Sequence, residues 1–156
     1  MEVVAYTDIK PGEELSLSYL PLNLVSNQRE EALQHNWGFK CTCPLCTDAK
    51  ANAISDRRRS RLTQIIADMN DTSLGNLVHG DFRKMITEIE ELADKEGLTA
   101  QIGDLCLMIS DVWLRMGDVH MAREFAKKSV KLKRHFAGID NERTVIARAK
   151  LERIGS

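Results

Sequence analysis

Three cysteines stand within six residues in the stretch Cys41-Thr42-Cys43-Pro44-Leu45-Cys46. Thiols at C-x-C-x-x-C spacing form the donor set of a zinc knuckle, because a short loop can turn three thiolates onto one soft divalent ion. Structural zinc takes four ligands, so the spacing raises the question of the fourth. Cys106 falls on the apolar stripe of a helix, where a small buried thiol needs no metal to explain it. His35 is nearer but belongs to a helix end that should face solvent, and His79, His120 and His135 have no ligand spacing with anything. The expectation is a structural zinc site held by Cys41, Cys43 and Cys46, incomplete or closed by water.

Closely spaced cysteines favour metal over disulfide in a reducing compartment, and the first ten residues hold Glu2 and no apolar run of signal-peptide length. Nucleus or cytoplasm is therefore expected, with no membrane partner. The 156 residues, 43% hydrophobic and 29% charged, suit one globular domain or two small units. A formal charge of −1 and few aromatics argue against a nucleic-acid partner, whether through the knuckle or the arginine cluster. The one basic cluster, Arg57, Arg58, Arg59 and Arg61, reads as a solvated helix face.

Two extended segments, "EVVAYTDI" and "ELSLSYL", flank a Pro-Gly turn and predict a β-hairpin, with Leu15, Leu17 and Tyr19 alternating against Ser16 and Ser18. Ser26 is expected to cap a short helix through "NQREEALQH". Beyond residue 51 the apolar positions follow the helical period. Leu62, Ile65, Ile66 and Met69 mark one helix; Phe82, Met85, Ile86, Ile89, Leu92 and Ala93 mark another. Ile102, Leu105, Cys106, Ile109, Val112, Trp113 and Met116 mark a third, ended by Gly117. Val119, Ala122, Phe125, Ala126 and Val130 mark a fourth, and Val145, Ile146 and Ala149 a last helix capped by Asp140 or Asn141. The stretch "ISDVWLRMGDVHMAREFAKKSVKL" resembles one tetratricopeptide-type unit, with small Ala122 and Ala126 where paired helices approach closely.

Taken together, "AYTDIKPGEELSLSYLPLNLVSNQREEALQHNWGFKCTCPLC" resembles the end of a SET domain running into its post-SET zinc motif, in the form typical of SET-and-MYND and related fungal SET proteins. The order of D-I-x-P-G-E-E-L, the S-Y dipeptide, the R-E-E-A-L helix and G-F-x-C-x-C-x-x-C carries this resemblance, and the helical remainder is similar to the region that follows in such proteins. The implied fold is mainly α, with a β-hairpin remnant of the SET domain and a zinc knuckle followed by an antiparallel, tetratricopeptide-like array. The implied division is 1–22 for the end of the SET domain, 23–50 for the post-SET helix and cysteine motif, and 51–156 for the helical region.

The resemblance implies S-adenosylmethionine-dependent methylation of a lysine on a histone or other protein. Tyr19 falls on the catalytic tyrosine, which lines the methyl-transfer channel beside the cofactor and positions the lysine amine; a phenol suits that task at pH 7, since the unperturbed group, with a pKa of about 10, is neutral there. Phe39 matches a ring against the cofactor adenine, and Trp37 an aromatic lining the lysine channel. In this family the fourth zinc cysteine comes from an upstream Asn-His-Ser-Cys segment, which the 156 residues do not contain. The chain is therefore expected to be a fragment, inactive alone. The alternative expectation is a non-catalytic helical module that binds a protein partner through residues 51–156, with a zinc-stapled N-terminus.

Overall fold

The computed structural model describes residue 5 and residues 8–15, 20–21, 23–70 and 78–155. Seven α-helices are present among them: α1 (Ser26–Trp37), α2 (Pro44–Thr47), α3 (Ala49–Asn70), α4 (His79–Lys95), α5 (Ile102–Arg115), α6 (Val119–Ala137) and α7 (Glu142–Gly155). No described residue is in a strand, so the expected N-terminal hairpin has no support among the described residues. Its turn is present, where the Glu13 N–H donates to the Lys10 carbonyl (3.0 Å) and the Lys10 N–H to the Glu13 carboxylate (3.0 Å). Leu17, Tyr19 and much of both flanking segments lie outside the described residues. The chain divides into two compact units, one of residues 15–77 and 81–97 and the other of 1–14, 78–80 and 98–156.

In the first unit the expected stripes are realised. Leu62, Ile65 and Met69 of α3 and Phe82, Ile86, Ile89 and Ala93 of α4 are buried. The arginine cluster is a solvated face only in part: Arg57 and Arg61 are exposed and Arg58 is half-buried. Arg59 is buried and its Nε donates to Glu96 Oε2 (2.9 Å) and Ser55 Oγ (2.9 Å), while Ser55 Oγ also donates to the same carboxylate (2.5 Å). Arg58 adds a 3.3 Å contact to Glu96, and Arg61 grips Glu88 with two nitrogens at 2.7 and 2.8 Å. These pairs run in opposite chain directions, so α3 and α4 are antiparallel. Periodicity missed this because Glu96 lies past the end of α4, outside any pattern that starts from the arginines.

In the second unit α5, α6 and α7 run up, down and up. Ser110 Oγ donates to the Ala122 carbonyl (2.8 Å) and Ser129 Oγ to the Gly103 carbonyl (2.6 Å), which fixes α5 and α6 as antiparallel. Small residues allow that approach, since Ala122 and Ala126 are wholly buried and a Cβ on Gly103 would come within 3.1 Å of the Lys133 stem. Gly117, at φ 81°, closes α5: its N–H reaches the Leu114 carbonyl and the Asp118 N–H the Trp113 carbonyl, both at 3.0 Å. Asp118 then caps α6 by accepting from the Met121 N–H (2.9 Å).

Two expected stripes are shifted. Thr144 and Ala147 are buried on α7, whereas Val145 and Ile146 are exposed, and Val119 at the start of α6 is exposed as well. Polar contacts to α5 set the rotation of α7: Lys150 donates to the Leu107 carbonyl (3.2 Å) and pairs with Asp111, and Arg143 pairs with Asp104 (3.6 Å). Asn141 is the cap, accepting from the Arg143 N–H (3.0 Å).

Candidate metal centre

The loop that carries the cysteines is entered from α1, whose position is set by groups far from it in sequence. Ser26 is the first helical residue rather than the cap. Asp56 of α3 caps α1 instead, accepting from the Ser26 N–H (2.7 Å) and from its hydroxyl. Gln28 reaches back to the Val25 N–H (3.3 Å). Arg29, buried on α1, donates to the Leu24 carbonyl (2.8 Å) and to Asn52 Oδ1 (2.7 Å), and lies 3.8 Å from Asp56. An arginine and an aspartate 27 positions apart carry no local pattern, so sequence reasoning had no signal for either.

Gly38, at φ 69°, ends α1 with its N–H on the Gln34 carbonyl (3.1 Å) and turns the chain into the cysteine loop. Lys40 pairs with Glu30 (3.0 Å) across that turn, an exposed contact that adds little stability. Cys43 then precedes the short helix α2, with Pro44 at its first position, and the Thr47 N–H returns to the Cys43 carbonyl (3.1 Å).

These turns bring the ligand atoms of Cys41, Cys43 and Cys46 within 4.8 Å of one another. A tetrahedral ion with zinc–sulfur bonds of about 2.3 Å needs sulfurs about 3.8 Å apart, so three corners of such a site fit without rearrangement of the fold. All three cysteines are free thiols. No fourth His, Cys, Asp or Glu joins the group among the described residues, and His35 stands exposed on α1. Cys106 is buried in α5, as its place on the apolar stripe required.

The thiols differ chemically. Burial opposes ionisation at Cys43, but the Cys46 N–H, the Cys41 and Cys46 thiols and the Leu45 N–H outweigh it and hold its pKa below the ordinary thiol value. Burial and the neighbouring Cys43 and Cys41 sulfurs push Cys46 up to about 11. Cys43 thus becomes a thiolate before Cys46, and a divalent cation would offset the burial and neighbouring sulfurs that hold Cys46 protonated.

The aromatic residues expected beside this motif precede it in the chain, on either side of Gly38. Trp37 is 47% and Phe39 37% exposed, so neither is buried in a core over the knuckle. Tyr19 lies outside the described residues, and its relation to Trp37 and Phe39 is not described. A small cleft lined by Arg29, Leu33, Lys40, Cys41, Cys46 and Asn52 opens beside the thiols.

No family model matches the chain. It is 31% identical over 144 residues to histone-lysine N-methyltransferase set5 of Schizosaccharomyces pombe, across 90% of this chain and 44% of that protein. It is 33% identical over 103 residues to histone-lysine N-methyltransferase SET5 of Candida albicans, across 65% of the chain and 19% of the relative. The chain is a homologue of the SET5 and SMYD-type methyltransferases. A mammalian SMYD-type relative, protein-lysine N-trimethyltransferase SMYD5 of Mus musculus, is 41% identical over 80 residues, 49% of this chain and 19% of its own length. The chain thus spans less than half the length of these SET5 and SMYD relatives.

Proposed function

We propose that this chain supplies the post-SET zinc element and the following helical region of a SET-type, S-adenosylmethionine-dependent protein-lysine methyltransferase. The clustering of the Cys41, Cys43 and Cys46 ligand atoms within 4.8 Å, immediately after the exposed aromatic residues Trp37 and Phe39 in the chain, carries this reading. A zinc ion held by these thiolates would fix the loop and so orient Phe39 toward a cofactor adenine and Trp37 toward a lysine channel. Tyr19 would position the substrate amine, and the reaction would then depend on alignment and exclusion of water rather than on a further nucleophile. In this reading residues 1–22 belong to the SET domain, 23–50 to the post-SET element and 51–156 to a tetratricopeptide-like array that frames a histone or other protein substrate, in the nucleus or cytoplasm.

The 156 residues lack the Asn-His-Ser-Cys segment, so methyl transfer by this chain alone is not expected. Two measurements test the proposal. Metal analysis of the purified chain should give one zinc per molecule, reduced by Cys43→Ser, and calorimetry should show no binding of S-adenosylmethionine. Absence of zinc from protein purified without chelator would refute the metal centre; micromolar cofactor binding at one site per chain would refute the inactivity. A second reading, a non-catalytic interaction module, draws support from exposed Val145 and Ile146 on α7. Capture of one specific partner by residues 51–156, undiminished by Cys43→Ser, would favour it.

A further inference from the structure

The formal charge of −1 is an average over two very different blocks. Between Val119 and Gly155 there are ten lysines and arginines against four carboxylates, a formal +6, which leaves −7 on the rest of the chain. The excess gathers on one side of α6. Ala122, Ala126, Ser129 and Lys133 form its buried face, and Arg123, Lys127, Lys131 and Arg134 fall on the opposite face with His120, all exposed. At 1.5 Å per residue the stripe from Arg123 to Arg134 is about 16 Å long.

Helix stability does not account for it. Arg134 and His135 in the last turn complement the helix dipole, but Lys127 and Lys131 are mid-helix, where that effect has faded. The single carboxylate on this side, Glu124, pairs with Lys127 (2.7 Å). Lys133, the one lysine of α6 turned inward, is the one that pairs with Asp104. Lys131 and Arg134 have no ion-pair partner among the described residues. A straight row of one sign, with no exposed Phe, Tyr or Trp between its members, suits a rigid row of phosphates, whereas single-stranded nucleic acid would need stacking platforms.

We propose that the α6 stripe Arg123, Lys127, Lys131 and Arg134 docks on the phosphate backbone of duplex DNA, without base recognition. Binding of this kind neutralises about four phosphates, so log K falls with log salt at a slope of about −4, a loss of roughly 10²-fold between 50 and 200 mM. This surface is independent of the metal centre, and its failure would leave the methyltransferase reading untouched.

The test is fluorescence anisotropy of a labelled 20-base-pair duplex of random sequence, titrated with the full chain in 50 mM and 200 mM KCl. Lys131→Glu with Arg134→Glu should weaken binding at least tenfold. Lys84→Glu with Lys95→Glu on α4, which changes the net charge equally, should weaken it less than threefold. Lysine acylation footprinting of the unsubstituted chain, with and without duplex, gives a readout that needs no variant to fold: Lys127 and Lys131 should be protected. No duplex binding, equal loss in both variants, or protection elsewhere would overturn the proposal. So would tighter binding to a single-stranded oligonucleotide or to phosphatidylserine vesicles, or salt-sensitive self-association through α6 in place of DNA binding.

Discussion

Cys43 is exposed and its thiol pKa is lowered, whereas Cys46 is half-buried with a pKa pushed up to about 11. The thiolate is the reactive form, so at any pH below that value Cys43 holds the larger ionised fraction. In metal-free protein at pH 8, iodoacetamide followed by peptide mass mapping should find Cys43 modified several-fold faster than Cys46, and buried Cys106 essentially untouched. Lowering the pH through the Cys43 pKa should slow its modification. Faster labelling of Cys46 would show that the hydrogen bonds from the Cys46 and Leu45 amides do not govern the loop. The raised pKa of Cys46 has a linkage sign of its own: its protonated form is favoured in the folded chain, so metal-free stability from this group is present below the unfolded thiol value and lost as pH rises toward 11. Zinc reverses the sense, since binding displaces the protons and strengthens as pH rises.

Helix α3 shows why elements were easier to read than the contacts that fix them. Leu62, Ile65 and Met69 repeat at helical spacing, and their burial follows from one local rule. Arg59 obeys no such rule, and neither does Asp56, which caps a helix 30 residues earlier. The knuckle was legible because its donors are neighbours in sequence; the buttress formed by Arg29, Asn52 and Asp56 was not, because its members meet only after α1 and α3 have folded. On α7 the apolar residues Val145 and Ile146 pointed to the wrong face, since Lys150 and Arg143 set the helix rotation through polar contacts that hydropathy does not weigh. Such contacts can decide stability. Glu96 is only 4% exposed and shares its carboxylate among Ser55, Arg58 and Arg59. Replacing Arg59 by Ala leaves that buried charge with only the Ser55 hydroxyl and the half-buried Arg58 as partners and should destabilise the chain by about 3–5 kcal/mol. Arg61→Ala, which breaks a half-exposed pair, should change stability by under about 1 kcal/mol. Urea denaturation of both variants measures the difference; equal midpoints would mean that Glu96 is rehydrated or protonated when Arg59 is lost.

Two compact units with separate cores imply two separable responses to loss of metal. The cysteine loop belongs wholly to the first unit, whereas the α5–α6–α7 array is tied by bonds of its own, from Ser110 to Ala122, Ser129 to Gly103 and Lys150 to Leu107. Stripping zinc with a chelator should therefore raise amide hydrogen exchange across residues 38–48, where few backbone hydrogen bonds close the loop. Amides of α5 and α6 should keep their protection, because the bonds that shield them lie in a core of Cys106, Ile109, Trp113, Ala122 and Ala126. Exchange that rises equally in both units would show that the metal holds the whole chain, as in domains whose folding is driven by zinc. Exchange confined to the loop, with Trp37 fluorescence changed and Trp113 unchanged, would give zinc a local role, in which it shapes the aromatic surface beside the knuckle while the helical array stands by itself.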